Sequence, residues 1–144
     1  MTSAQRAAES YASGFSCSQA VFAAFSGALG LEQTKALKIA QPFGGGIAGT
    51  GSTCGAVTGA LLVIGLKHGR VRPEDLAAKE KTYALVREFI RRFQEQQGSI
   101  ICRELIGVDI STPEGHEAAR RQGLLTERCT VFVSRAAEIL EAIL

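Results

Sequence analysis

From Ile39 to Leu66 the chain carries no charged side chain, and this restricts its fold more than any other feature. The first part of the stretch is broken by Pro42 and by the glycines of "GGGIAGTG" (44–51), a density that suits neither a regular helix nor a strand. The second part, Ala56–Leu66, is compactly apolar but only 11 residues long, well short of the ~20 that a membrane-crossing helix needs. A short helix that is apolar nearly all round belongs at the centre of a bundle. Its small residues Gly55, Ala56, Gly59 and Ala60 would let a neighbouring helix approach closely, and they leave room for a homodimer partner.

The flanking sequence supplies helices to surround it. Residues 3–13 read as a short helix, and "GFSCSQAVFAAFSGALG" (14–30) as a second, with Val21, Phe22, Phe25 and Leu29 at helical spacing and Gly30 as its stop. Residues 33–40 suggest a third, ended by Pro42. The central helix is expected from Ser52 to His68. Pro73 opens the longest one, 74–97, with Glu74 and Asp75 at its positive end and Arg91 and Arg92 late. "SIICRELIG" (99–107) has Ser99 as its cap, 112–123 has Thr112, and Thr126 starts the last helix, which runs to Leu144. No stretch alternates as a half-buried strand would. The expectation is an all-α, compact multi-helix bundle of about seven helices, four of them long, in a single domain over 1–144 without repeats or linkers.

Composition removes several functions. With 21% charged residues and a net charge of +2, the chain has no basic run; Arg91–Arg92 and Arg120–Arg121 are isolated pairs that read as solvated helix faces, so no nucleic-acid partner is expected. "MTSAQRAAES" has no apolar secretory region, which makes a soluble, cytoplasmic, non-membrane-spanning protein the expectation. Gly44, Gly46 and Gly49 satisfy G-x-G-x-x-G, but "ALKIAQPF" before them is a poor strand, no acidic residue occurs from 39 to 73, and the nearest lysine is Lys67. A dinucleotide or phosphate loop needs those partners. His68 and His116 read as surface residues, and no Ser-His-Asp or paired-carboxylate arrangement supports hydrolysis.

The remaining chemistry lies in Cys17, Cys54, Cys102 and Cys129. Their spacings are 37, 48 and 27 with no CxxC pair, so any joint action has to be assembled by the fold. Each follows a Ser or Thr that could cap a helix: Ser16, Ser52 and Thr53, Ser99, and Thr126. On that reading all four sulfurs lie in first helical turns, where free amides and the helix dipole favour thiolate. Three uses remain open. In the first, a low-pKa thiol, foremost Cys54, attacks a disulfide or an oxidised small sulfur species and another cysteine resolves it. In the second, the four thiolates Cys17, Cys54, Cys102 and Cys129 hold an iron–sulfur cluster, or zinc. In the third, the cysteines are inert core residues of a helical binding module. Gly49, Gly51 and Gly55 are the candidate cofactor-side residues, giving a small partner backbone access beside Cys54.

"GFSCSQAV" (14–21), "CGAVTGALLVIGLKHG" (54–69), "GSIICRELIG" (98–107) and "CTVFVSRAAEIL" (129–140) together resemble the C_GCAxxG_C_C family. The family is named for a lone cysteine, a Cys-Gly-Ala-x-x-Gly motif and two further cysteines. Here these are Cys17, then Cys54-Gly55-Ala56-Val57-Thr58-Gly59, then Cys102 and Cys129. The resemblance covers nearly the whole chain. It implies redox activity at the cysteines, through thiol/disulfide chemistry or electron transfer with a redox partner or small sulfur species still to be identified. Modules similar to this family are joined to haem cytochromes of the split-Soret type, and its members tend to be encoded near transporter genes.

Overall fold

In the computed structural model, which describes residues 1–144, the chain forms eight α-helices and two short 3-10 turns, and no strand. They are α1 (Ser3–Ala12), α2 (Cys17–Ser26), α3 (Gln33–Ala40), α4 (Gly55–His68), α5 (Leu76–Gln97), α6 (Cys102–Ile106), α7 (Pro113–Arg121) and α8 (Leu124–Ile143). The all-α expectation holds, with eight helices in place of about seven. No helix is long and apolar enough to cross a membrane.

Several starts differ from the sequence reading, each for a local reason. α5 begins at Leu76, because Asp75 accepts the Ala78 N–H (3.1 Å) and so caps it; Pro73 lies in the preceding turn. Ser99 does not cap α6. Its hydroxyl accepts the Ile101 N–H and donates to Glu104, and the helix starts at Cys102. Thr126 lies inside α8, which Gly123 opens from a left-handed conformation at φ 73°. Residues 52–54 are not helical either. Thr53 pairs antiparallel with Ile101, Cys54 N–H donates to Ile100 (2.7 Å), and Cys102 N–H donates to Ser52 (2.6 Å).

α4 is the central element, packed by α2, α5 and α8, while α1 lies along α2 and α8. Ala56, Val57, Ala60, Val63 and Ile64 are fully buried, but Leu61 and Leu62 are half-buried and Leu66 is exposed, so α4 keeps one apolar face outward. Phe89 stacks on Phe93 at 5.9 Å and Phe93 meets Phe132 edge-on at 6.3 Å, which joins α5 to α8. Arg91 and Arg92 pair with Glu88 on an exposed face of α5, and Arg120 pairs with Glu117 on α7. These are the solvated faces that the sequence suggested.

The small face of α4 is used within the chain, against α2. A Cβ on Gly59 would stand 2.7 Å from the Ser18 carbonyl oxygen and 3.2 Å from the Val21 Cβ. Gly59→Val is therefore expected to lower stability by about 2–3 kcal/mol through overpacking. Gly65, where a Cβ meets nothing, provides the contrast. Gly65→Ala is expected to raise stability by about 0.5–1 kcal/mol from helix propensity. Urea unfolding midpoints check the pair, and equal shifts in one direction would mean that α2 and α4 do not approach this closely.

Candidate functional site

The four cysteines converge. Cys17 opens α2, Cys54 precedes α4, Cys102 opens α6, and Cys129 lies in the second turn of α8. Cys129 is therefore not in a first turn, because α8 starts at Leu124 rather than at Thr126. All four side chains line one small gap beneath the loop, together with Leu105, Ile106 and Phe132. All four are free thiols; Cys54, Cys102 and Cys129 are buried and Cys17 is partly exposed.

The position of Cys17 follows from the sequence around it. Ser16 caps α2 by accepting the Gln19 N–H, and Gln19 accepts the Ser16 N–H in return, the reciprocal capping box of an S-x-x-Q sequence. This fixes Cys17 at the first helical position. The anionic form of its sulfur is favoured first by the Cys129 side chain and then, against burial, by the N–H groups of Cys17 itself, Gly45 and Ser18. The Cys17 pKa is consequently lowered. Successive backbone amides aimed at one atom form an anion-binding concavity.

The Gly45 amide comes from an unusual loop. Gly45, Gly46, Ile47, Ala48 and Gly49 all have positive φ, so the backbone coils left-handed over five consecutive residues. For Ile47 and Ala48 this costs about 1–2 kcal/mol each. The coil is tied off by Gly51 N–H to Gly45 (3.1 Å) and Ser52 N–H to Gly46 (2.8 Å). Gly45 and Gly46 leave no room for a side chain: a Cβ on Gly45 would stand 2.9 Å from the Gly49 Cα, and one on Gly46 2.6 Å from the Cys102 Cβ. The loop is thus packed on Cys102 and aimed at Cys17, not at Cys54.

The other three thiols are held neutral. Burial, then the negative charge at Cys17, pushes Cys54 up, against opposing amides of Ala56 and Val57. Burial followed by Cys17 pushes Cys102 up to about 11. Cys129 is raised first by the Cys17 side chain, then by burial, while the Tyr11 hydroxyl acts in the opposite direction. The two neighbouring thiols are thus shifted in opposite directions, Cys17 down and Cys129 up. The sequence suggested thiolate at all four positions; the environments differ, favouring it at Cys17 and opposing it at Cys54, Cys102 and Cys129.

Above Cys17 a pocket of about 490 Å³ opens to solvent. Cys17, Cys102 and Cys129 line it, and Cys54 does not. Tyr11, whose hydroxyl donates to the Leu125 carbonyl (2.6 Å), and His116 stand in its wall. Sequence reasoning passed over Tyr11, since no motif ties it to a cysteine six residues on, and read His116 as a surface residue; it is exposed, and also at this mouth. Among the candidate glycines, Gly49 lines the pocket, the Gly51 carbonyl accepts from Arg103 N–H (3.1 Å), and a Cβ on Gly55 would stand 3.3 Å from the Cys17 sulfur. His68 is half-buried at the opposite end of α4, its Nε2 unpartnered and its pKa lowered by burial and then by Lys81 and Lys67.

The gap that the four cysteines share measures about 10 Å³, and with the side chains as arranged no three His, Cys, Asp or Glu groups are disposed to hold an ion.

The chain was compared with known proteins. The family described as "Putative redox-active protein (C_GCAxxG_C_C)" matches residues 15–143. No curated protein and no solved structure matches.

Proposed function

The chain belongs to the C_GCAxxG_C_C family, and on that premise we propose that it is a thiol/disulfide oxidoreductase in which Cys17 is the nucleophile and Cys129 resolves. The observation that carries this reading is the unequal treatment of the cysteines. Cys17 alone combines a lowered pKa with access to an open pocket, and a second thiol whose pKa is raised, Cys129, lines the same gap beside it. We therefore assign the attack to Cys17 rather than to Cys54, whose thiol is buried, raised and outside the pocket.

The step balances as follows. The Cys17 thiolate attacks one sulfur of a disulfide R–S–S–R, forming a Cys17–S–S–R bond as the first R–S⁻ leaves and takes up a proton. Cys129 then gives up its proton and attacks the Cys17 sulfur, expelling the second R–S⁻. Two protein thiols are oxidised to one disulfide, and the substrate is reduced to two thiols. As Cys17 loses its charge in the first step, Cys129 loses the neighbouring anion that raised its pKa. The second attack becomes easier once the first has occurred. The same scheme run backwards oxidises a dithiol.

Alkylation across pH tests the assignment. The rate for Cys17 should stay high below the ordinary thiol pKa of ~8.5, and fall only as the pH drops through its lowered value. Cys54, Cys102 and Cys129 should stay unmodified until the pH is well above ~8.5. Iodoacetamide at pH 7 followed by peptide mapping should mark Cys17 alone. Labelling of another cysteine first, or of none until alkaline pH, would contradict the proposal.

A further inference from the structure

The pocket over Cys17 also restricts what can reach it. Its volume of about 490 Å³ is that of a small-molecule site. Its walls include Phe15, Ile106, Ile110 and Leu125 beside the polar Tyr11 and His116 and several Ser and Thr hydroxyls, and no Lys, Arg, Asp or Glu lines it. A carboxylate entering such a site gives up water without gaining a cationic partner, which is costly. An alkyl group gains by covering the apolar wall.

We infer that the substrate is a small uncharged disulfide with apolar substituents, selected against anionic disulfides by a wall that offers no Lys or Arg beside the Cys17 sulfur. The inference rests on the thiol/disulfide reading of Cys17, and it adds the substrate class. The reaction is the exchange already described, with R an uncharged alkyl group: the Cys17 thiolate displaces one alkyl thiolate, Cys129 displaces the other, and two alkyl thiols leave with two protons.

Rates of thiol loss with dipropyl disulfide and with glutathione disulfide test this. Each rate is divided by the rate of the same reagent with free 2-mercaptoethanol, which removes intrinsic reactivity. The normalised ratio is expected to favour dipropyl disulfide by tenfold or more. A ratio near one, or one favouring glutathione disulfide, overturns the substrate class while leaving Cys17 as the nucleophile. If neither reagent consumes the Cys17 thiol, the thiol/disulfide reading fails and the substrate class fails with it. Thr126, exposed at the pocket wall, supplies a second arm. Thr126→Lys places a cation there and should shift the ratio several-fold toward glutathione disulfide. An unchanged ratio would mean that charge does not govern selection.

Discussion

Cys17→Ser is expected to abolish reversible oxidation of the protein, lowering the rate of thiol loss to disulfides by roughly 10³-fold or more, since a serine hydroxyl supplies essentially no anion at neutral pH. The fold should survive, because Ser16 and Gln19 rather than the cysteine cap α2. Cys129→Ala should behave differently. It retains an attacking thiol but removes the side chain that contributes most to lowering the Cys17 pKa. The rate of attack should drop, and the product should stall as a Cys17 mixed disulfide, visible in the intact mass as one retained half of the oxidant. If Cys17→Ser oxidises as fast as the parent chain, another cysteine is the nucleophile and the account of the amide concavity is wrong.

Gly46→Val carries the second large effect. The position has φ 70° and a site where a Cβ would meet the Cys102 Cβ at 2.6 Å and the Ser52 nitrogen at 2.7 Å. A β-branched residue there suffers both the left-handed conformation, about 1–2 kcal/mol, and overpacking against backbone, about 1–3 kcal/mol. Together these suggest a loss of about 3 kcal/mol in stability. The chemical effect should accompany it. A displaced loop withdraws the Gly45 N–H from Cys17, so the pH profile of Cys17 alkylation should move up toward that of an ordinary thiol. Urea unfolding and alkylation read the two consequences separately. A variant with unchanged Cys17 reactivity would show that the loop does not tune the thiol.

Part of this was open to sequence reasoning. The charge-free run from Ile39 to Leu66 pointed to a buried helix in a bundle, and α4 is that helix. Ser16 was readable as a cap ahead of Cys17, and α2 does start there; the reciprocal bond from Gln19 came only from the fold. Thr112 with Pro113 likewise marked the start of α7. The start of α8 was hidden because Gly123 in a left-handed conformation opens it, while Thr126, the better-looking cap, is simply a helical residue. That shift moves Cys129 by one turn. Left-handed geometry was also invisible at Ile47 and Ala48, residues that normally avoid it. Without that coil the glycines after residue 43 looked like clearance for Cys54. In the folded chain Gly55 clears Cys17, Gly46 clears Cys102, and Gly59 lets α2 approach. The fourfold helix-start pattern suggested four similar thiols, whereas a negative charge at one sulfur raises its neighbours, an effect that spacing along the chain cannot reveal.

The pairing of the cysteines tests the central claim most directly. The native protein is oxidised mildly with one equivalent of disulfide, remaining thiols are blocked at low pH, and the linked peptides are mapped by mass spectrometry. The account predicts a bond between Cys17 and Cys129, with Cys54 and Cys102 recovered as blocked thiols. Four free thiols after oxidation, or a disulfide that leaves Cys17 out, would contradict it.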